Sequence, residues 1–66
     1  MSVAKVTEIT ATSPKSVEDA ISSGLERANE TIDNIEGAWV KEMKVRVENG
    51  KVKEYRVNMK LTFVLR

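Results

Sequence analysis

Asn49-Gly50 sits between two runs in which apolar and polar residues alternate, and no other feature of the chain restricts the fold as much. A type I′ turn needs positive φ at both central positions, which asparagine and glycine tolerate, so the pair signals a tight β-hairpin. The alternation predicts one strand from Ala38 to Val47 and another from Val52 to Leu65, joined by Glu48-Asn49-Gly50-Lys51. A two-residue loop sets Glu48 opposite Lys51 and fixes every pair behind it, and paired residues share a face. Tyr55, Val57, Met59, Leu61, Phe63 and Leu65 then share an apolar face with Ala38 and Val40. Trp39, Met43, Val45, Val47, Val52 and Val64 fall on the opposite face, among Lys41, Glu54, Arg56, Asn58, Lys60 and Thr62.

The first half of the chain supplies what covers the apolar face. Residues 2–10 mix β-branched and charged residues and read as a strand. Ser13 suits a helix N-cap and Pro14 the first helical position, where its missing N–H costs nothing. Val17, Ile21, Gly24, Leu25, Ala28, Ile32 and Ile35 recur at steps of three and four and draw one apolar stripe. Gly24 inside that stripe permits close approach of a neighbour. Asn34 and Gly37 favour a stop, so the helix is expected to end around residue 33 to 35. The resulting fold class is α+β, a β-α-β-β subunit whose three-stranded sheet, in order 1-3-2, wraps one helix. The first two strands run in the same direction across a right-handed crossover.

One helix covers one face of a sheet, so a second face bearing Trp, Met and Val needs another partner. Length points the same way. The run from Val52 to Leu65 spans about 46 Å as a strand, against about 30 Å for a 20-residue helix. A β-bulge that turns Trp39 inward is the alternative, and it leaves the overhang unexplained.

With 66 residues the chain is near the lower limit for independent stability. The sequence has no cysteine and no histidine, which excludes disulfides and zinc-type sites and leaves oligomerisation as the prop. The same gap removes the usual nucleophile–base pairs, so no enzyme is expected. A net charge of +1 gives no footprint for nucleic acid or an anionic membrane. No apolar run is long enough to span a bilayer. Met-Ser-Val-Ala-Lys lacks the apolar core of a secretory signal, and a cytoplasmic location is the expectation.

The order and length of these elements resemble the dodecins over essentially the whole chain, 1–66, read as a single domain. Lys5-Val6 through Ile9, Thr12-Ser13-Pro14, Ala20-Ile21 and Gly24-Leu25-Glu26-Arg27-Ala28 carry the resemblance. The last strand, from Tyr55-Arg56-Val57 to Phe63-Val64-Leu65, is similar to the family's tyrosine-glutamine-valine signature ending in phenylalanine. The resemblance implies a non-catalytic storage protein: a hollow homododecamer that stacks flavins (riboflavin or FMN) between tryptophans at two-fold contacts. A glutamine bonds the ring edge.

Carried over position by position, the family's stacking tryptophan falls on Gly37 and its glutamine on Arg56. Gly37, Trp39, Lys41, Arg56 and Asn58 are the candidate ligand residues, all on the outer face of the paired strands. Trp39 lies about 7 Å along the strand from Gly37. It is either interface packing or a shifted stacking platform. Arg56 is either a planar fork for an anion or an intersubunit ion pair with Glu42, Glu54 or a helix carboxylate.

Arginine in place of the glutamine, together with the missing stacking tryptophan, also resembles a calcium-binding subgroup. Glu18, Asp19, Glu26, Glu30 and Asp33 offer oxygen ligands, without EF-hand spacing, so a cation needs several subunits. A flavin-free dodecin binding calcium or small anions, or a structural protein-interaction module, are the alternatives to flavin storage.

Overall fold

The structure is a computed structural model that describes residues 3–65; Ser2, where the first strand is expected to start, lies outside them. The elements are β1 (Val3–Ser13), α1 (Val17–Ala28), β2 (Ile35–Glu48) and β3 (Lys51–Leu65). They form one sheet in order β1-β3-β2, with β3 antiparallel to both neighbours. The expected β-α-β-β architecture and strand order are therefore present. The hairpin turn has φ of 53° at Asn49 and 74° at Gly50, as a type I′ turn requires.

The helix is shorter than the apolar stripe suggests, and both ends differ from expectation. Ser16, not Ser13, is the N-cap: its hydroxyl accepts from the Asp19 N–H at 2.9 Å. Ser13 ends β1 and is buried; its hydroxyl accepts from the Lys15 N–H at 3.0 Å and donates to Asp19 Oδ2 at 2.6 Å. That pair of bonds ties the strand's end to the first helical turn and holds Pro14 in the bend between them. At the other end, the helix stops at Ala28 with Asn29 as C-cap, not at residue 33 to 35. The N–H groups of Glu30 and Thr31 bond three residues back, to Arg27 and Ala28, which tightens the last turn and ends the helix. Asn34, at φ 61°, then turns the chain into β2, and its carbonyl accepts from the Val64 N–H at 3.1 Å.

The core lies between α1 and the middle of the sheet. Ala20, Val57, Met59 and Leu61 are fully buried, and Ile9, Ala11, Val17, Ile21, Leu25 and Val40 pack around them. Gly24 is the point of closest approach. A Cβ there would lie 2.8 Å from Ala11 Cβ and 3.2 Å from Met59 Cε, so only glycine lets the helix settle this low.

The register departs from a simple hairpin, and the departure moves side chains between faces. Glu48–Lys51 and Val47–Val52 pair as the turn dictates; Lys53 then bulges on β3 and the pairing slips by one, from Arg46–Glu54 to Glu42–Asn58. A second bulge, at Lys41 on β2, restores the original pairing at Val40–Met59. Between the two bulges, Met43 pairs with Val57 and Val45 with Tyr55. Both therefore stand on the helix side of the sheet, not on the outer face where an unbroken hairpin puts them. Val47 follows by alternation, and Val52 follows as its partner. Trp39 pairs with Lys60 and stays on the outer face, so no bulge turns it inward.

Four of the exposed apolar side chains are thus on the inner face, past the end of the helix, while Trp39 and Val6 are exposed on the outer one. The 12 residues of α1 span about 18 Å, and the 15 of β3 span about 50 Å. Met43, Val45, Val47 and Val52 remain 45–62% exposed on this overhang.

Candidate functional site

The outer face of the sheet is built in rows that run across all three strands. Val6, Thr62 and Gly37 form one row, Glu8, Lys60 and Trp39 the next, then Thr10, Asn58 and Glu42, and then Thr12, Arg56 and Lys44. The structure therefore brings Gly37, Trp39, Asn58 and Arg56 onto one face. Lys41, at the bulge, joins them through an ion pair with Glu8 at 3.8 Å.

Trp39 is 65% exposed, and the Lys60 ammonium lies 5.7 Å from the centre of its ring. Such a cation–π contact at an exposed site contributes about 0.5–1 kcal/mol and holds the indole in a defined position. Asn58 is held by a bond from its Nδ2 to Thr10 Oγ1 at 3.1 Å. Arg56 lies 3.6 Å from Glu54, a pair within this chain, and Arg46 approaches the same carboxylate at 4.0 Å while also pairing with Glu48 at 3.4 Å. Thr10, Glu42, Lys44, Arg56 and Asn58 line a polar recess of about 190 Å³ in the middle of this face.

Sequence reasoning missed the part of Thr10 and Lys44 in that recess. Thr10 reaches it through β1 pairing with β3, and no local signal marks that long-range register. A larger groove of about 480 Å³ runs between α1 and β1, over Ile9, Ala11, Gly24, Ala28 and Ile32. Its small residues were the available signal.

A flavin of the kind the resemblance implies meets a mixed set of groups here. Trp39 offers an exposed aromatic surface. Arg56 has N–H donors that would suit ring-edge carbonyl oxygens, as a glutamine's amide would, but it cannot accept. The position of the family's stacking ring is Gly37, where a Cβ would meet nothing within 4 Å. For calcium, no three carboxylates converge among the described residues. On the helix, Asp19 is bonded to Ser13 and Glu30 lies 4.0 Å from Arg27.

Comparison with known proteins gives a consistent picture. The dodecin family model matches residues 3–66. The calcium dodecin of Mycobacterium tuberculosis is 36% identical over 66 residues, which is 100% of this chain and 93% of that protein. A dodecin from Streptomyces davaonensis matches with a TM-score of 0.93 at 34% identity, covering 98% of this chain and 96% of its own. The crystal structure of the M. tuberculosis calcium dodecin, a calcium-chelating antigen with a novel calcium-binding site, matches with a TM-score of 0.82 at 37% identity. It covers 97% of this chain and 91% of its own. Together with the β-α-β-β topology and the strand order, these matches establish that the chain belongs to the dodecin family.

Proposed function

We propose that this chain is a non-catalytic storage subunit whose copies close into a hollow homododecamer and hold a flavin, riboflavin or FMN, on the outer sheet face against Trp39. The observation that carries the ligand reading is the indole itself, 65% exposed on the outer face with the Lys60 ammonium 5.7 Å from its ring centre. An exposed indole offers a planar face on which an aromatic ring can stack in an offset arrangement, worth about 0.5–1.5 kcal/mol beyond area burial. Asn58 and Arg56 lie on the same face and supply polar contacts for the ring edge or a phosphate.

The overhang supports the shell. Met43, Val45, Val47 and Val52 form an apolar end that this chain's own helix does not reach, and a neighbouring copy buries it. The family resemblance gives the count of twelve. Nothing in the proposal requires a membrane or nucleic acid, and the cytoplasmic expectation is kept; among the described residues no helix is long and apolar enough to cross a membrane.

Size exclusion with light scattering and visible absorbance recorded together tests the proposal. A yellow particle of about twelve subunits, with Trp39 emission quenched on adding flavin, is the expected result. A monomer would refute the shell and leave the overhang to a different protein.

A second reading takes its support from the calcium-chelating relative. Carboxylates that do not converge in one chain can converge between copies. A colourless particle whose melting temperature rises with calcium and falls with chelator would favour that reading.

A further inference from the structure

Two residues other than glycine hold positive φ among the described residues, Asn34 at 61° and Asn49 at 53°, and both are exposed. What surrounds them differs. Asn34 precedes Ile35; its Nδ2 donates to the Val64 carbonyl at 3.5 Å and its own carbonyl accepts from the Val64 N–H at 3.1 Å. Asn49 precedes Gly50, and its side chain has no hydrogen-bond partner among the described residues. Of the asparagines in the chain (Asn29, Asn34, Asn49 and Asn58), Asn49 alone is followed by glycine.

Asparagine is a thermolabile residue, and before glycine it is open to attack by its own chain. The amide nitrogen of the next residue reaches the side-chain carbon Cγ and closes a five-membered ring, and a side chain on that next residue obstructs the approach. Here the approach is clear. A Cβ built at Gly50 would meet nothing within 4 Å, and the ladder ends at the Glu48–Lys51 pair, which leaves the Gly50 N–H outside it. Ring closure needs the Gly50 nitrogen swung to the Cβ side of Asn49, at ψ of about −120°; with positive φ, those are the first-residue angles of a type II′ turn. The turn is type I′, since Gly50 is at φ 74°. Asn49 therefore already has the φ of the ring, and one rotation of the Asn49–Gly50 peptide plane supplies the rest. Both turn types serve two-residue hairpin loops, so the strands keep their places through that rotation.

We propose that Asn49 is a modification site at the tip of the hairpin, where the chain converts its own asparagine to aspartate and isoaspartate. The Gly50 nitrogen gives up its proton to hydroxide and bonds to Asn49 Cγ; the Cγ–Nδ2 bond breaks, and Nδ2 takes a proton from water and leaves as ammonia. Water then opens the cyclic imide. Opening at one carbonyl leaves aspartate, and opening at the other leaves isoaspartate, with the backbone routed through Cβ. The sum is one water taken up and one ammonia released. Each product adds a negative charge beside Glu48 and takes the chain from +1 to neutral. Isoaspartate also lengthens the loop by one backbone atom, which strains the Glu48–Lys51 pairing that a two-residue turn sets. Val47 and Val52, the next pair, belong to the apolar overhang, so the modification loosens the end that the proposed assembly uses. That last consequence rests on the assembly reading; the modification itself does not.

The test incubates the purified protein at neutral and at mildly alkaline pH, in ordinary and in heavy-oxygen water, and follows tryptic peptides by chromatography and mass spectrometry. Trypsin releases Val47–Lys51, in which Asn49 is the only asparagine. The expected result is two products of equal mass from that peptide, each with the gain of an amide-to-acid exchange and one solvent oxygen. They form faster at the higher pH, and at least about tenfold faster than products at Asn29, Asn34 or Asn58. An Asn49→Gly variant, which keeps a Gly-Gly turn, gives neither product. Asn49 intact in the protein while the synthetic Val47–Lys51 peptide is converted overturns the proposal, because the turn then locks the site. Asn34 converting as fast as Asn49 also overturns it, because the following glycine is then not what decides. Conversion that leaves the mass of the aged particle unchanged upholds the modification and refutes only its effect on assembly.

Discussion

Replacing Gly24 by alanine sets two effects against each other, and the geometry decides between them. In a helix interior the change normally stabilises by about 1 kcal/mol, because alanine has the higher propensity. Here the new methyl would stand 2.8 Å from Ala11 Cβ and 3.2 Å from Met59 Cε. Carbon atoms rest at about 3.5–4.0 Å, so the helix must rise by roughly 0.7 Å or more at that point. Ala11 Cβ cannot turn aside, because it is fixed to the backbone of β1. A gap of that size forfeits about a quarter to a half of each dispersion contact beneath the helix, where Ala20, Val57, Met59 and Leu61 are fully buried. Overpacking of this kind costs about 1–3 kcal/mol. Subtracting the propensity gain leaves a net loss of about 0–2 kcal/mol.

The assay is thermal unfolding at fixed protomer concentration, since the proposed assembly would make stability depend on concentration. Adding Ala11→Gly to Gly24→Ala removes the nearer clash, so the two changes should couple favourably by about 1 kcal/mol in a double-mutant cycle. A Gly24→Ala protein more stable than wild type by the full propensity gain, with no coupling to position 11, would refute the close-approach argument.

Other expectations follow from single contacts. Met43→Lys and Val45→Lys should leave the far-ultraviolet circular dichroism of the chain intact while weakening assembly by about 1–2 kcal/mol per contact, read as a smaller mass by light scattering. Ser13→Ala should cost about 1–3 kcal/mol of stability, because it strips a buried position of bonds to both Asp19 and Lys15. Ser16→Ala, which loses only the N-cap, should cost about 1 kcal/mol, so a melting series that ranks Ser16 well above Ser13 would count against this account of the helix start. Lys41→Met should cost no more than about 1 kcal/mol, since the Lys41–Glu8 pair is partly exposed, and raised salt should shrink the difference.

The elements were legible where the signal is local. Asn49-Gly50 announced the turn, and the alternation on either side announced both hairpin strands. The stripe through Val17, Ile21 and Leu25 announced the helix. Its ends were less legible, because Ser13 and Ser16 are both competent caps and the choice depends on where Asp19 falls relative to β1. The bulges at Lys41 and Lys53 were hidden for a related reason: they cancel, so residues on both sides of them keep the pairing of a plain hairpin. The turn side of each bulge changes face relative to the core, which is why Met43, Val45, Val47 and Val52 read as outer residues while Trp39, beyond Lys41, stands on the outer face as the alternation requires. Gly37, Trp39, Arg56 and Asn58 came together as the alternation required. The recess that adds Thr10 and Lys44 depends on β1 lying against β3, a pairing between distant parts of the chain.

The bulge at Lys41 has one more effect, which concerns the edges of the sheet. β1 and β2 are both edge strands, and an edge strand offers its unpaired backbone groups to any extended chain that passes. Along β2 the offer is interrupted at Glu36 and at Lys41, so a second strand cannot stay in step for more than a few residues. β1 has no such interruption, since its pairing with β3 runs unbroken from Val3 to Ser13. A single copy of the chain is therefore guarded on one side only. If isolated subunits aggregate into fibres, β1 is the strand expected to seed them.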